Sequence, residues 1–288
     1  MKSPHDLVKD IYTLMETKEI PDTVDLRAEC DRFGKVVAEM LWDNMQPEED
    51  RSGRLRLSAI GHPNRKIYNA YKGIAGDPLK GSDYIKFLYG HFIEAMLIAL
   101  TRISGHEVTE EQKEVSVEGI KGHQDCRIDG MLVDVKSCSS YGFKKFQKST
   151  LHEDDPFGYI AQLKGYAYQE GDTEYAWLAM DKQNGTLAWL HYDELDKETH
   201  YHKAVNYSIS DRVREVKKLV SSDSSPEKCY GPVQDGKSGN ERLAQGCVFC
   251  AYKHECWPEL RVFHYANGPR YLTKVDNTPR VVEVLDGF

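Results

Sequence analysis

Hydrophobic residues recur at the helical period over the first part of the chain. Between residues 5 and 45 they lie three or four positions apart, and the polar stretch "QPEEDRSG" ends this pattern. A second helix is predicted from Ser82, a good N-cap residue, to about Ile103. Its predicted apolar stripe consists of Ile85, Leu88, Phe92, Met96 and Ala99. The pattern therefore predicts a helical N-terminal appendage followed by a second, long helix.

The middle of the chain changes to a period of two, which is typical of strands. Five stretches alternate in this way or are rich in β-branched and aromatic residues: "KEVSVEGI", "HQDCRI", "MLVDVKS", "EYAWLAMD" and "TLAWLHYD". Asn184-Gly185 predicts a hairpin between the last two. Between the third and fourth lies "DPFGYIAQLKGYAYQEG", which predicts a helix that ends at Gly171. This alternation of strands and helices predicts an α/β core.

Asp129-Gly130 lies between two strand patterns and predicts a type I′ turn with these two residues as its loop. This turn fixes the register, so that Asp125 opposes Asp134 at the far end of the hairpin. The pairs between them are Ile128 with Met131, Arg127 with Leu132, and Cys126 with Val133. Because side chains alternate across a strand, Lys136 points to the same face as Asp134. Two carboxylates and an ammonium group are therefore expected on one face of the sheet.

Two aspartates that oppose each other repel unless a cation lies between them. Mg²⁺ or Mn²⁺ would remove this repulsion because these ions prefer carboxylate oxygens, and a lysine nearby can stabilise developing negative charge. The alternative is an exposed strand with salt bridges, since a short Asp-x-Lys motif often occurs by chance. Glu94, in an otherwise apolar helix, is a third carboxylate that a metal could pair. Its alternative is a glutamate at the helix margin that reaches solvent.

Two further groups of residues could carry chemistry. Gln162 and Tyr166 lie four residues apart on a predicted helix, so they share a face and could hold a catalytic lysine or a substrate phosphate. Packing at an interface is their alternative role. A cysteine cluster lies in "CVFCAYKHEC", with Cys229 eighteen residues upstream of its first cysteine. Such thiolates can bind a tetrahedral zinc ion or an iron–sulfur cluster. The remaining cysteines, Cys30, Cys126 and Cys138, are expected to be core thiols.

Composition narrows the class of protein. The 288 residues carry a net charge of −8, with 40% hydrophobic and 29% charged residues, which is ordinary for a globular protein. We expect one core with appendages: residues 1–50 as the helical appendage, 51–220 as the core, and 221–288 as the cysteine-cluster region with a tail. The longest apolar run, "AMLIAL", is too short to span a bilayer, and the N-terminus lacks a secretory signal pattern. These features predict a protein of the reducing cytosol with no membrane segment.

Basic residues are concentrated in one segment despite the acidic net charge. Between Arg51 and Lys72 there are six basic residues and no acidic one. This segment, together with Lys144, Lys145 and Lys148, could contact the phosphates of DNA. The alternative is a solvated basic surface.

Taken together and in this order, several motifs resemble the RecB-like branch of the PD-(D/E)xK nucleases, which includes Cas4-type, AddB-type and Dna2-type proteins. The motifs are "GHFIE" (Gly90 to Glu94), Asp125, "DVK" (Asp134 to Lys136), "QLKGY" (Gln162 to Tyr166) and the cysteine cluster. The resemblance covers about residues 55–260, and the whole chain looks most like phage-encoded members. It implies a restriction-endonuclease-like α/β core, in which helices flank a mixed central sheet.

The resemblance also implies a function and residue roles. The function is metal-dependent hydrolysis of DNA, usually as an exonuclease on single strands or ends. Glu94, Asp125, Asp134 and Val135 look like ligands of Mg²⁺ or Mn²⁺, Lys136 like the catalytic lysine, and Gln162 with Tyr166 like the supporting motif. The expected partners are DNA and recombination or replication proteins, and the expected location is the cytoplasm, that of the host if the chain is phage-encoded. The alternatives are a catalytically silent DNA-binding module held together by metal and a nuclease that prefers RNA.

For the cysteines, the resemblance favours a [4Fe–4S] cluster. The expected ligands are Cys229, Cys247, Cys250 and Cys256. Related proteins often carry one cluster cysteine early, in a segment like Leu57 to Asn69, but this chain has none there. Zinc is therefore the alternative metal.

Overall fold

The computed structural model of the chain describes residues 2–47, 52–195 and 208–284. Its helices are α1 (Leu7–Thr17), α2 (Leu26–Asn44), α3 (Asn64–Tyr71), α4 (Gly81–Ile103), α5 (Ser140–Gln147), α6 (Tyr159–Glu170), α7 (Ile209–Ser221), α8 (Gln245–Val248) and α9 (Lys253–Cys256). Its strands are β1 (Val108–Thr109), β2 (Glu114–Val117), β3 (Ile120–His123), β4 (Cys126–Ile128), β5 (Met131–Cys138), β6 (Tyr175–Asp181), β7 (Leu187–His191), β8 (Val233–Gln234), β9 (Glu241–Arg242), β10 (Arg261–Tyr265), β11 (Gly268–Lys274) and β12 (Val282–Val284).

The chain divides into two compact units, each built from segments that are distant in sequence. The first unit consists of Met1–Asp50, Leu55–Gly61 and Lys80–Glu215, and the second consists of Arg51–Arg54, His62–Leu79 and Val216–Phe288. The sequence analysis instead placed linear boundaries at residues 50 and 220. A linear pattern does not reveal that α3 belongs to the second unit although segments on both sides of it in sequence belong to the first.

A five-stranded mixed sheet forms the centre of the first unit, in the order β1-β4-β5-β6-β7. Strands β5 and β6 are parallel, and the other neighbouring strands pair antiparallel. A parallel pair needs a crossover connection, which α5 and α6 provide here. Helices α4, α5 and α6 all contact the sheet. The predicted mixed central sheet with flanking helices is therefore confirmed.

One face of this sheet packs against α1 and α4. The shared core contains Leu7, Ile11, Ile93, Leu97, Ile98, Cys126, Ile128, Val133, Val135, Leu178 and Leu187. The Tyr12 hydroxyl of α1 also accepts a hydrogen bond from the Leu187 backbone N–H at 2.6 Å. Helix α1 is thus part of the core, whereas the sequence pattern predicted an appendage. Because β5 alternates, Asp134 and Lys136 point to the face opposite Val133 and Val135, as predicted.

Helix α4 differs from its prediction in its start and in its buried face. It begins after Lys80, whose backbone N–H donates to the Asp83 carboxylate at 3.1 Å, so Ser82 is not the N-cap. Its C-terminal half is buried through Ile93, Leu97, Ile98, Ala99 and Thr101. Ile85 of the predicted stripe is 68% exposed. By length and composition α4 is also a candidate membrane span, a criterion that buried core helices meet as well.

The second unit contains a five-stranded antiparallel sheet, in the order β12-β10-β11-β9-β8. Val262, Phe263 and Leu272 are buried in it. The sequence analysis did not predict this sheet: β8 and β9 are only two residues long and give no periodic signal, and the hairpin of β10 and β11 was missed. Helices α8 and α9 of the same unit carry Cys247 and Cys256.

Candidate active site

The β4–β5 hairpin brings the predicted catalytic residues together. Asp129 and Gly130 have positive φ angles of 49° and 87°, as a type I′ turn requires. The predicted pairs Cys126–Val133, Arg127–Leu132 and Ile128–Met131 are present, which confirms the register. The fourth predicted pair, Asp125 with Asp134, is not part of this ladder, because β4 begins at Cys126 and Asp125 directly precedes it.

Asp134 is a fully buried carboxylate. Its exposed fraction is 0%, and its Oδ1 has no hydrogen-bond partner. Lys136 Nζ lies 2.7 Å from Asp134 Oδ2, so this second oxygen is paired with an ammonium group. Burial raises the pKa of Asp134 to about 7, and the lowering effect of Lys136 is partly opposed by the neighbouring Asp125 carboxylate. The predicted convergence of Asp125, Asp134 and Lys136 is therefore present.

Asp125 is held by the backbone of the neighbouring strand. Its Oδ2 accepts a hydrogen bond from the Val135 backbone N–H at 2.7 Å. Burial raises the pKa of Asp125, whereas Lys136 and this hydrogen bond act in the opposite direction. Val135 itself is 5% exposed and belongs to the apolar core, so only its carbonyl oxygen could serve as a metal ligand.

Glu94 of α4 completes the acidic group. Its Oε1 accepts a hydrogen bond from Gln112 Nε2 at 2.8 Å. Burial raises the pKa of Glu94 to about 8, with a further increase from Asp125 and Asp134 and a decrease from Lys136. These mutual effects on pKa mean that the three predicted carboxylates lie within electrostatic reach of one another, as the sequence analysis required.

Lys136 keeps its proton in this environment. Burial alone lowers the pKa of a lysine, but Asp134 and Asp125 outweigh it and leave the pKa of Lys136 raised. Its Nζ lies 4.9 Å from the centroid of the Tyr159 ring, which is a cation–π contact. Tyr159 was missed by the sequence analysis. Tyr159 lies three residues before Gln162 on α6, and residues three apart share a helix face. This spacing could have indicated that Tyr159 faces the same site as Gln162.

The predicted pair on α6 is formed. Gln162 Nε2 donates a hydrogen bond to the Tyr166 hydroxyl at 3.2 Å. Tyr166 is 1% exposed, and burial raises the pKa of its phenol, as do Asp134 and Asp125 to a smaller degree. The tyrosine is therefore a neutral hydrogen-bonding group near the carboxylates.

The carboxylates suit a hard divalent cation by donor type. As the side chains are placed, no group of three or more His, Cys, Asp or Glu among residues 2–47, 52–195 and 208–284 is arranged to hold a metal ion. Asp134 Oδ1, buried and without a hydrogen bond, is nevertheless the kind of unsatisfied acceptor that such an ion pairs. By donor type the residues present therefore fit Mg²⁺ or Mn²⁺.

Two of the four C-terminal cysteines, Cys247 and Cys256, have raised pKa values to which other cysteines of the group contribute. Burial raises the pKa of Cys247 to about 11, and the thiols of Cys250, Cys229 and Cys256 raise it further. Arg65 of α3, in the same unit, lies next to Cys256 and opposes the raised pKa of that thiol. Of the other cysteines, Cys126 and Cys138 are buried as predicted.

Cys30 contradicts the prediction of a core thiol. It is exposed, because no residue of α2 is buried. This helix packs against α4 through partly exposed contacts such as Phe33 with Phe92, whose ring centroids are 5.7 Å apart.

Several of the basic residues have partners within their own unit. Arg65 donates to the Pro226 carbonyl oxygen at 2.8 Å, and Lys72 Nζ lies 5.4 Å from the centroid of the Tyr68 ring. Lys145 forms an ion pair with Asp154 at 2.5 Å. Arg51 lies outside the described residues. A role of the basic segment in DNA binding stays a prediction.

Comparisons with known proteins give distant likenesses. No family model and no curated protein matches the chain. Among solved structures it is similar to the alkaline exonuclease LHK-Exo from Laribacter hongkongensis, with 12% identity over 59% of this chain and 91% of that chain and a TM-score of 0.38.

Two other solved structures show a likeness of the same order. The phage-related exonuclease from Haemophilus somnus 129PT has 14% identity over 59% of this chain and 96% of that chain, with a TM-score of 0.34. The protein SSO0001 has 17% identity over 78% of this chain and 93% of that chain, with a TM-score of 0.39. Likenesses this weak do not establish chemistry, which has to be argued from the site.

Proposed function

We propose that this chain is a metal-dependent nuclease of the RecB-like PD-(D/E)xK type, which hydrolyses DNA as an exonuclease on single strands or ends. The observation that carries the proposal is the fully buried Asp134 carboxylate, whose Oδ2 pairs with Lys136 on the same face of β5 while its Oδ1 has no hydrogen-bond partner. Burying a carboxylate oxygen without a hydrogen bond is costly, and groups with strongly raised pKa values cluster at functional sites. The ordered motifs of the sequence support the same function.

Glu94, Asp125 and Asp134 would hold the Mg²⁺ or Mn²⁺ ion, with the carbonyl oxygen of Val135 as a further ligand. When bound, the ion polarises the phosphodiester and lowers the pKa of a bound water. Asp134 and Glu94 would then be ionised at neutral pH, because a positive charge nearby favours the carboxylate form.

Lys136 supplies a permanent positive charge beside these ligands. Its raised pKa keeps it an ammonium group at neutral pH. From the same face of β5 it can stabilise the negative charge that develops on a phosphate oxygen. Tyr166 accepts a hydrogen bond from Gln162, so its own hydroxyl hydrogen can be donated to the phosphate.

The cysteine cluster is proposed to bind one metal centre in the second unit. The effects of Cys250, Cys229 and Cys256 on the pKa of Cys247 support their closeness. A [4Fe–4S] cluster is the first choice from the sequence resemblance, and zinc is the alternative. Either centre would favour the thiolate form and thereby lower the pKa values of its cysteine ligands.

The test of the proposed function uses end-labelled single-stranded DNA, double-stranded DNA and RNA, each incubated with Mg²⁺, Mn²⁺ or a chelator. We expect metal-dependent shortening of DNA from its ends, visible as a ladder of products over time. Binding of DNA without cleavage under all conditions would favour a silent DNA-binding module. Faster cleavage of RNA than of DNA would favour an RNA nuclease.

Variants connect this activity to the site. Asp134→Ala and Lys136→Ala should each lower the cleavage rate by about 100-fold or more while the fold is retained, because the first removes a ligand of the metal ion and the second removes the positive charge that stabilises developing negative charge. Glu153→Ala and Lys121→Ala, which remove exposed charges outside the site, are matched controls and should cleave like the wild type. Full activity of either site variant would refute the assignment.

A further inference from the structure

Three aromatic rings form a cluster next to Lys136, and one of them, Tyr159, contacts the lysine. Tyr159 contacts the Lys136 ammonium group, with 4.9 Å between Nζ and the ring centroid. Phe157 stacks on Tyr159 with 5.5 Å between ring centroids and an angle of 23° between planes. Phe146, which is 2% exposed, packs against Tyr159 at 6.2 Å between centroids. Phe157 is therefore one ring removed from the lysine of the candidate active site.

The turn before α6 fixes the position of Phe157. Asp155 caps the helix, with Oδ1 accepting from the Tyr159 backbone N–H at 3.0 Å and Oδ2 from that of Ile160 at 2.9 Å. Gly158 has a φ of +74°, and its Cα lies 2.7 Å from where a Cβ on Gly61 would be. The residues on both sides of Phe157 are thus held by hydrogen bonds and by close packing.

Phe157 is nevertheless 45% exposed. A single exposed apolar residue is common and by itself needs no explanation. What distinguishes Phe157 is that a fixed turn stacks it on a ring that itself contacts the active-site lysine. A planar group bound against Phe157 would extend this stack of aromatic rings.

We propose that Phe157 stacks on a nucleobase of the strand whose phosphate lies at Lys136. This inference rests on the proposed nuclease function and names the substrate form: a nucleic-acid strand with an unstacked base, as in single-stranded DNA or a frayed end. Because every base has a planar face, this contact is independent of sequence. The contact would therefore position the end of a strand without selecting for its base sequence.

The test compares an intact single-stranded oligonucleotide with oligonucleotides that carry an abasic position, moved in turn through successive positions from the end. Binding is measured by fluorescence anisotropy in chelator, so that no cleavage occurs. We expect Phe157→Ala to weaken binding of the intact strand by about 10-fold or more, as for other aromatic residues that stack on bases. The strand whose missing base is the one that stacks should bind equally to the variant and the wild type.

Two further variants and one further measurement separate stacking from a loss of structure. Phe157→Trp should restore binding, because a larger ring also stacks. Tyr168→Ala, which removes a 53% exposed aromatic residue from α6, the helix that follows Phe157, is the matched control and should bind like the wild type. The salt dependence of binding should be the same for Phe157→Ala and wild type, since stacking releases no counterions.

The outcomes distinguish this inference from the proposed function. If the wild type cleaves DNA and Phe157→Ala binds the intact strand normally, the stacking role is wrong and the nuclease stands. An equal loss of affinity for all strands, intact and abasic, would mean that Phe157 has only a structural role. A wild type that neither binds nor cleaves any nucleic acid overturns both proposals.

Discussion

At the scale of single residues, Asp134 is unusual because it is a fully buried carboxylate with one oxygen, Oδ1, that has no hydrogen-bond partner. Its pKa of about 7 and that of Glu94, about 8, lie above the ordinary values of 3.8 and 4.5. The folded, metal-free protein therefore binds protons more tightly than the unfolded chain does. The stability associated with these groups is present at acidic pH and is lost as the pH rises through the folded pKa values.

We expect the free energy of unfolding of the metal-free protein to fall between about pH 5 and pH 8. Asp134→Asn should show a smaller fall, because the amide does not titrate. Urea unfolding in the presence of a chelator at both pH values measures this, with Glu153→Gln as the control for removal of an exposed carboxylate. A wild type and an Asp134→Asn variant with the same pH dependence would contradict the raised pKa. Added Mg²⁺ should stabilise the wild type at pH 8 more than the variant.

The sequence predicts the hairpin residues well, and the physical reason is locality. Asp129-Gly130 determines a two-residue turn, and the turn alone places Asp125, Asp134 and Lys136 on one face. The contact of Tyr159 with Lys136 could not be derived in this way. It depends on how α6 packs across the sheet, which no local rule specifies.

At the scale of elements, the start of α6 depends on two glycines that meet. A Cβ on Gly158 would lie 2.6 Å from the carbonyl carbon of Gly61, and the φ of Gly158 is +74°. Gly171 at the other end of the same helix has the same φ of +74°, but nothing lies within 4 Å of its Cβ position. A comparison of Gly158 with Gly171 therefore separates the cost of the backbone conformation, which both share, from the cost of the close contact, which only Gly158 has.

Gly171→Ala should lower the free energy of unfolding by about 1–2 kcal/mol, the cost of a left-handed conformation for a residue with a side chain. Gly158→Ala should lower it by about 1–3 kcal/mol more, because the added methyl group also overlaps Gly61. Urea denaturation of both variants measures the difference. Equal losses would show that the approach of Gly61 and Gly158 is less tight than the structure indicates.

Helix α4 shows why periodicity predicts the presence of a helix more securely than it predicts which face of that helix is buried. Its length was predicted closely, but its apolar residues occupy more than one face. Ile85 and Phe87 are exposed, whereas Ile93 and Leu97 are buried in the core. Which face is buried depends on the strands against which the helix packs, and that is a long-range property.

At the scale of the whole molecule, each unit is assembled from segments that are far apart along the chain. Helix α3 belongs with the C-terminal residues, and α1 belongs with the central sheet. The sequence predicted the class of the first unit because its strands alternate clearly. The antiparallel sheet of the second unit was not predicted: its two-residue strands β8 and β9 give no periodic signal, and the local hairpin of β10 and β11 was missed.

The prediction at the scale of the whole molecule concerns the metal centre proposed for the four C-terminal cysteines. Cys→Ser at Cys229, Cys247, Cys250 or Cys256 should release metal and make the second unit more sensitive to proteolysis, because metal binding contributes to folding. Cys30→Ser, which changes an exposed thiol in the first unit, is the control and should retain the metal. Visible absorption and elemental analysis of anaerobically purified protein identify iron with sulfide or zinc. Protein without a stoichiometric amount of either would refute the centre.

The buried carboxylate at position 134 also has a consequence for laboratory evolution. Selection for yield or heat resistance rewards any substitution that relieves a destabilised group, whether or not activity survives. Libraries of this chain screened only for expression should therefore become enriched in neutral residues at Glu94, and at Asp134 only together with a neutral residue at Lys136, because loss of Asp134 alone leaves the buried lysine without its partner. Such a screen would favour folded proteins that have lost catalytic activity, so a selection for activity has to accompany it.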